Sequence, residues 1–213
     1  LAARCRDARR AALQASGAAR IATAHHRDDQ AETVLHHLLR GSGMAGLRGM
    51  GVQSGPWVRP LLSAPRALIR AFAQLEGLTW IEDPSNPASL RGRLRALMPA
   101  LDALHGGAGA AMARSAALLA REDDFVHAQA EVAWQRCAVA GGLDLPRLRK
   151  EPEALQARVL LRLMEARVIG PRADHVGAAL RWIHRPQGRL GLPGGVALVA
   201  RDGLLWVEEA ADR

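Results

Sequence analysis

The sequence predicts an α/β domain with parallel strands, followed by a mainly helical region that ends in a β-hairpin. Three observations predict this class: a helix–strand–helix order near the start, long helical patterns after residue 110, and two apolar runs that flank Asp202-Gly203. The 213 residues, 49% of them hydrophobic, suffice for one or two domains with their own core. This hydrophobic share argues against disorder over the whole length. No apolar run approaches about 20 residues, so an integral membrane protein is excluded.

The first elements indicate where a site would lie. Residues 1–17 read as a helix that Gly17 ends, and residues 19–25 read as a short buried strand. Asp28 or Asp29 is expected to cap the next helix, which runs to about residue 40. Polar side chains therefore cluster just after the carboxyl end of a strand, where open α/β sheets place their ligand sites.

The remaining patterns alternate between helices and short extended segments. Gly77 ends an amphipathic helix, and the linker at residues 105–109 separates a domain of residues 1–105 from one of residues 106–213. The predicted elements are a Gly-rich loop with at most one helical turn at 41–56, an extended segment at 57–62, helices at 65–76 and 90–104, a strand at 78–82, a turn at 83–87, and helices at 110–138, 151–168 and 173–184.

The net charge of +8 comes from 29 basic and 21 acidic side chains, and every basic one except Lys150 is arginine. Such a surface attracts polyanions, although basic proteins with other roles are common. Aromatic residues make up 3%, which disfavours base stacking as the main contact to nucleic acid. Cys5 and Cys137 fit no metal-ligand spacing and no disulfide scaffold. Because no secretory signal is visible either, we interpret the two cysteines as thiols in a reducing cytoplasm. We therefore expect a cytoplasmic protein.

The densest group of chemically active residues is the string HHRDDQAE at residues 25–32. Asp29 and Glu32 are three residues apart and share one face of the predicted helix. Paired carboxylates can bind Mg²⁺ or an ammonium group. His25, at the end of the strand, can donate to a phosphate or move a proton.

Three interpretations of this cluster stay open on the residues alone. The first is structural, with caps and a solvated helix face. The second is a metal-dependent hydrolase that uses His25, His26 and Asp29, although no second group of ligands is visible for a closed site. The third is an ATP-using site, where carboxylates handle Mg²⁺ and a second substrate.

Several segments closely resemble one enzyme family, the tRNA(Ile)-lysidine synthetases of the PP-loop ATP pyrophosphatase group. They are the string ATAHHRDDQAETVLHHLLRGSGMAGLRGM at residues 22–50, Arg59-Pro60-Leu61-Leu62, the turn Asp83-Pro84-Ser85-Asn86, the basic series that ends in Met98-Pro99, and AARCRDARRAAL near the start. The resemblance implies a partial PP-loop domain, with an adenine nucleotide alpha hydrolase-like parallel sheet, over residues 1–105. It implies a helical accessory domain that binds tRNA over residues 106–213.

The resemblance also implies a reaction, the formation of a carbon–nitrogen bond by a ligase. ATP adenylates the wobble cytidine of an isoleucine tRNA with a CAU anticodon, and the ε-amine of free lysine displaces AMP to give lysidine. ATP and Mg²⁺ are the implied cofactors. The tRNA and free L-lysine are the implied partners; we expect no membrane partner, and a homodimer stays open.

Site residues follow from the same resemblance. Asp29 and Glu32 are expected to bind the lysine ammonium, with either a carboxylate or His25 as the base and Asp29 as a ligand of Mg²⁺. Arg40, Gly41, Ser42 and Gly43 are expected to form a loop beside nucleotide or cytidine, with a plain helix cap as the alternative. The residues expected to contact tRNA are Arg9, Asn86, Arg91, Arg93 and Arg95.

One departure from the family pattern affects the expected activity. The phosphate-binding loop Ser-Gly-Gly-x-Asp-Ser is absent from the sequence. We therefore expect a chain truncated ahead of Leu1 that does not adenylate by itself. A non-catalytic tRNA-binding fragment is the alternative to the synthetase, beside the metal-dependent hydrolase.

Overall fold

The structure, a computed structural model, describes residues 2–81, 90–167 and 173–209. The chain divides into two compact units, Leu1–Ala120 and Arg121–Arg213, and the division falls within one long helix. The predicted boundary at residues 105/106 lies just before that helix and stays a prediction.

The first unit contains α1 (Ala2–Ala15), β1 (Ile21–Ala22), α2 (Arg27–Leu39), α3 (Met44–Leu47), β2 (Gln53–Ser54), β3 (Trp57–Val58), α4 (Arg66–Leu75), α5 (Leu90–Leu104) and the start of α6 (Ala108–Cys137). The second contains the rest of α6, β4 (Ala138–Val139), β5 (Gly142–Asp144), α7 (Leu145–Lys150), α8 (Glu153–Glu165), α9 (Ala173–His184), β6 (Arg189–Leu192), β7 (Val196–Arg201) and β8 (Leu204–Glu209).

The first unit has the predicted α/β character, with a small mixed sheet in the order β1-β3-β2. β1 runs parallel to β3, and β2 pairs antiparallel with β3. The strands are shorter than the predicted segments 19–25 and 57–62. Pro60 supplies a physical reason near β3, because a proline has no N–H to donate to a strand ladder.

The start of α2 differs from the predicted cap. His26, not Asp28 or Asp29, is the N-cap residue, with the extended backbone that this position needs. Its ring accepts a hydrogen bond from the backbone N–H of Asp29, and the Asp29 carboxylate in turn accepts one from the backbone N–H of His26. This reciprocal capping box satisfies two N–H groups that have no partner within the helix. The middle of α2 is buried, with Ala31, Val34 and Leu35 in the core.

The helix predicted at 65–76 forms as α4, but the strand predicted at 78–82 is wrong over its described residues 78–81. Gly77 has a φ of 65°, and the N–H of Leu78 donates to the carbonyl of Ala73. Leu78 thus completes the carboxyl-terminal cap of α4 instead of entering a ladder. The predicted turn at 83–87, which includes Asn86, lies outside the described residues.

In the second unit, the rest of α6 together with α7, α8 and α9 shares one core with an antiparallel sheet in the order β4-β5-β8-β7-β6. The predicted hairpin is confirmed as β7 and β8, and Asp202 and Gly203 both adopt the positive φ angles that a tight two-residue turn requires. Cys137 is buried in this unit, and burial raises the pKa of its thiol. Throughout the described ranges, no helix is both long and apolar enough to cross a membrane.

Candidate active site

His25 lies just beyond β1, where the chain leaves the sheet. Its Nδ1 atom is 2.9 Å from the hydroxyl oxygen of Thr23. Burial lowers the pKa of His25, and the nearby charges of Arg59 and Arg91 lower it further, against the opposite effect of Asp29. The imidazole is therefore biased towards its neutral form, which is the form that can accept a proton.

Asp29 is largely buried and divides its two oxygens between two neighbours. Oδ2 accepts the 2.9 Å hydrogen bond from the backbone N–H of His26, while Oδ1 lies 3.8 Å from Nη2 of Arg95. Its side chain is 14% exposed. One oxygen thus serves the helix cap, and the other faces a cation from α5.

Glu32 is more deeply buried and binds the same arginine. Its oxygens accept hydrogen bonds of 2.6 Å from Nε and 3.2 Å from Nη2 of Arg95. The side chain of Glu32 is 1% exposed, and its hydrogen bond raises the pKa of Arg95. The i,i+3 spacing therefore aims Asp29 and Glu32 at one guanidinium, a planar group that matches the carboxylate geometry.

Asp28 is a third carboxylate that the sequence analysis did not select. Its Oδ2 accepts a 2.6 Å hydrogen bond from the backbone N–H of Arg66, at the start of α4. Pro65, the N-cap residue of α4, makes no side-chain cap, so Asp28 supplies that acceptor from another helix. The carboxyl group is 42% exposed, which makes it the most accessible of the three carboxylates.

Asp28, Glu32 and Arg95 border a cavity of about 440 Å³ between α2, α4, α5 and the start of α6, within the first unit, whereas His25 and Asp29 are not among its lining residues. Its size falls in the usual range for small-molecule sites. Both signs of charge face it, so the cavity suits a ligand that itself carries both. The charged lining residues are Asp28, Glu32 and Asp102 on the acidic side and Arg27, Arg66, Arg70 and Arg95 on the basic side.

The predicted loop at Arg40–Gly43 lies at the opposite end of α2. Eleven residues separate Asp29 from Arg40, which corresponds to about 16 Å along a helix axis. Gly41 has a φ of 69° and follows the C-cap residue Arg40, so this loop begins with a left-handed glycine that ends the helix. A Cβ atom at Gly41 or Gly43 would meet nothing within 4 Å, so this loop is open to a ligand.

The predicted tRNA-contacting arginines separate into two groups. Arg95 points to the carboxylates of α2, whereas Arg91 and Arg93 on the same helix are exposed. Arg9 is exposed on α1, and Asn86 lies outside the described residues. Helix spacing places Arg93 on the side opposite Arg95, but Arg91 and Arg95 are four residues apart and share a face, so spacing alone does not explain why Arg91 stays exposed.

Gln30 is a further residue that the sequence analysis missed. Its amide nitrogen donates to the carbonyls of Arg48 and Met50, and its oxygen accepts a 2.8 Å hydrogen bond from the N–H of Met50. The side chain is nearly buried and ties the glycine-rich loop to α2. Only its polarity within an otherwise buried stretch of helix could have indicated this role.

No three histidine, cysteine or acidic side chains come together as metal ligands within residues 2–81, 90–167 and 173–209. Glu32, the carboxylate one helical turn from Asp29, is already paired with Arg95. A second cation beside that guanidinium would be repelled, so these contacts do not favour Mg²⁺ at Asp29. A metal at this position stays a prediction.

Comparison with known proteins identifies relatives of the whole chain. Residues 1–101 match the PP-loop domain family. The chain is 40% identical to the tRNA(Ile)-lysidine synthase of Geobacter sulfurreducens, over 84% of this chain and 41% of that protein. It is 40% identical to the tRNA(Ile)-lysidine synthase of Streptomyces coelicolor, over 96% of this chain and 63% of that protein. The synthase of Ralstonia nicotianae is 39% identical over 79% of this chain and 42% of its own length.

The chain thus spans between 41% and 63% of the length of these curated relatives. The family match covers the small sheet and most of the cavity lining, but not Asp102, Gly107, Gly109 and Ala110, and the similarity to the Streptomyces coelicolor protein extends into the second unit. Residues 1–101 thus match the PP-loop domain family, and most of the chain is similar to tRNA(Ile)-lysidine synthases, at about 40% identity over part of their length.

Proposed function

We propose that the gene product containing this chain ligates lysine to the wobble cytidine of an isoleucine tRNA with a CAU anticodon, at the expense of ATP. The observation that carries the proposal is the group of carboxylates around a cavity of both charge signs, in a chain 40% identical to tRNA(Ile)-lysidine synthases. A ligase that takes a free amino acid needs such a site.

The cavity has the charges that free lysine requires. The α-carboxylate would face the arginines of α4, Arg66 and Arg70, while the ammonium groups would face Asp28 and Glu32. Asp29, which is not part of the cavity lining, would bind an ammonium group beside Glu32, with which it shares Arg95. Asp28 adds to the two carboxylates that the sequence predicts, and its accessibility makes it the first of the three to meet an incoming cation. Arg95 donates hydrogen bonds to both oxygens of the buried Glu32 and so satisfies this carboxylate when no ligand is bound.

The transfer step needs a base and a leaving group. The ε-ammonium of lysine must lose a proton before its nitrogen can attack carbon 2 of the adenylated cytidine. A carbon–nitrogen bond then forms, and the carbon–oxygen bond to AMP breaks. His25 is suited to accept the proton because its lowered pKa keeps the imidazole neutral.

The other predicted residues have roles in substrate binding. Arg40, Gly41, Ser42 and Gly43 would border the nucleotide or cytidine, and Arg9, Asn86, Arg91 and Arg93 would contact the tRNA backbone. Mg²⁺ would enter with the ATP phosphates and reduce their negative charge. No step here depends on a metal at Asp29.

Lysine transfer to an isoleucine tRNA transcript, followed with radiolabelled lysine, tests the proposal in the full gene product. Asp29→Ala and Glu32→Ala should each abolish transfer and leave tRNA affinity nearly unchanged, since carboxylates repel phosphate and attract ammonium. Normal transfer in both variants would exclude the assigned site. Salt-dependent tRNA binding without any transfer would instead support a non-catalytic tRNA-binding protein. Activity that a chelator removes together with a bound transition metal would support the hydrolase.

A further inference from the structure

The chain of residues 41–50 turns back along α2 after that helix ends. Gln30 lies near the start of α2 and His37 near its end, and a separation of two helical turns places both on one face, about 10 Å apart. Gln30 contacts the 41–50 segment at Met50, and His37 contacts it at Gly46. The segment therefore runs antiparallel to α2.

His37 holds the middle of this segment. Its Nδ1 atom lies 2.6 Å from the carbonyl oxygen of Gly46, and because a carbonyl can only accept, Nδ1 carries the proton and donates it. The carbonyl of His37 accepts in turn from the backbone N–H of Ser42, at 3.0 Å. A Cβ atom at Gly46 would come within 2.6 Å of the Cβ atom of Ser42, so only glycine allows the segment to fold this closely.

Gln30 holds the far end of the segment. Its amide donates to the carbonyls of Arg48 and Met50 and accepts from the N–H of Met50. Gln30 is only 6% exposed, so water cannot easily replace these partners, and their loss would leave buried polar groups unsatisfied. The segment is thus attached at two points to the helix that carries the carboxylates of the candidate site.

We propose that Gln30 and His37 are positioning residues, which hold the 41–50 segment rigidly against α2 and so place Gly41 and Gly43 beside the base of a bound nucleotide. This inference rests on the proposed function, in which the loop borders ATP or the tRNA. A Cβ atom at either glycine would meet nothing within 4 Å, so a planar base can approach this backbone closely. A segment that is already held needs no further ordering when the base binds.

Lysine-transfer kinetics of the full gene product test this role. His37→Leu should raise KM for the tRNA or for ATP about fivefold, the factor that the loss of one hydrogen bond typically gives. KM for lysine should stay within about twofold, because no residue of the 41–50 segment lines the cavity of the proposed lysine site. A rise for the tRNA assigns the segment to a tRNA base, and a rise for ATP assigns it to adenine. A fall in kcat alone, or an equal rise of KM for lysine, would overturn the proposal.

Two further histidine variants separate positioning from a general loss of structure. His37→Asn keeps an N–H donor close to the place of Nδ1, so it should recover most of the affinity and covers the case in which His37→Leu fails to fold. His36→Leu is the matched control, since His36 is the adjacent, half-buried histidine and makes none of the contacts to the segment described above. Its KM values should stay within about twofold. An effect of His36→Leu equal to that of His37→Leu would contradict the assignment.

Amide hydrogen exchange of the same protein without substrates gives a readout that does not depend on lysine transfer. The N–H groups of residues 46–49 bond within the segment, so in His37→Leu they should exchange about fivefold faster or more, while the buried middle of α2 keeps its protection. Faster exchange in a protein that transfers no lysine even when unaltered would refute the proposed function and leave the attachment standing. Unchanged exchange in His37→Leu would show that His37 does not hold the segment.

Discussion

Each unit contains a buried carboxylate paired with an arginine from another helix. Glu32 pairs with Arg95 in the first unit, and Asp123 pairs with Arg158 in the second. The two carboxylates are 1% and 4% exposed, but Arg95 is 34% exposed and Arg158 is 19% exposed. Glu32 also lines the cavity and shares its arginine with Asp29. Burial and pairing are therefore common to both pairs, and Arg158 also lines a cavity, so the feature that sets the Glu32 pair apart is its position one helical turn beyond the end of a strand.

The largest expected difference between the two pairs is in lysine transfer. Glu32→Gln in the full gene product should lower kcat/KM at least about 100-fold, because the charge that holds the ammonium is lost. Asp123→Asn, the matched change in the second unit, should stay within about threefold per folded molecule. Steady-state transfer assays check both variants. A loss of similar size in Asp123→Asn would mean that the two pairs serve the reaction equally.

The free energy of unfolding should rank the two pairs in the opposite order, with the larger loss in Asp123→Asn. Removing one partner of a buried ion pair typically costs about 3–5 kcal/mol, and Asp123→Asn should approach that range. Glu32→Gln should cost less, since water can reach the more exposed Arg95 once its partner is gone. Urea unfolding followed by circular dichroism measures the two free energies. A larger loss in Glu32→Gln would show that Arg95 is not solvated in this way.

Two glycines, one in each unit, differ in the space that surrounds them and so test local packing. Gly49 in the first unit and Gly188 in the second have φ angles of 64° and 61°, so alanine is strained at both positions by about 1 kcal/mol. A Cβ atom at Gly49 would also come within 2.7 Å of the Gln30 amide, whereas one at Gly188 meets nothing within 4 Å. Gly49→Ala should therefore destabilise the chain by about 1 kcal/mol more. Equal thermal denaturation of the two variants would mean that the Gln30 side chain moves aside.

The smallest expected effect concerns pH. Burial lowers the pKa of His25 in the folded chain, so the unfolded chain binds the proton more readily. The stability that His25 contributes is present above its ordinary pKa of 6.5 and is lost as the pH falls through the lower folded value. His25→Asn should flatten the acid limb of the stability curve, while His127→Asn, an exposed histidine of the second unit, should leave its shape unchanged. Parallel curves for His25→Asn and the unaltered chain would exclude this effect.

Local patterns predicted most of the helices and the terminal hairpin. The helices at 90–104 and 173–184 have the predicted bounds, because hydrophobic period and stop signals act within a few residues. The Asp202-Gly203 turn is local in the same sense. The sequence analysis missed the strands β2, β4, β5 and β6 and the helix α7, whose two to six residues are too short for a period to show.

The sequence by itself determined that His25, Asp29 and Glu32 lie together after a strand, since eight consecutive residues at a strand–helix junction cannot separate far. Only the tertiary structure decided which partner each charge has. Arg95 is 63 residues from Glu32, and Arg66 is 38 residues from Asp28, so no local pattern could pair them. Hydrogen bonds of this kind depend on how helices pack, and packing is set by contacts between residues distant in the chain.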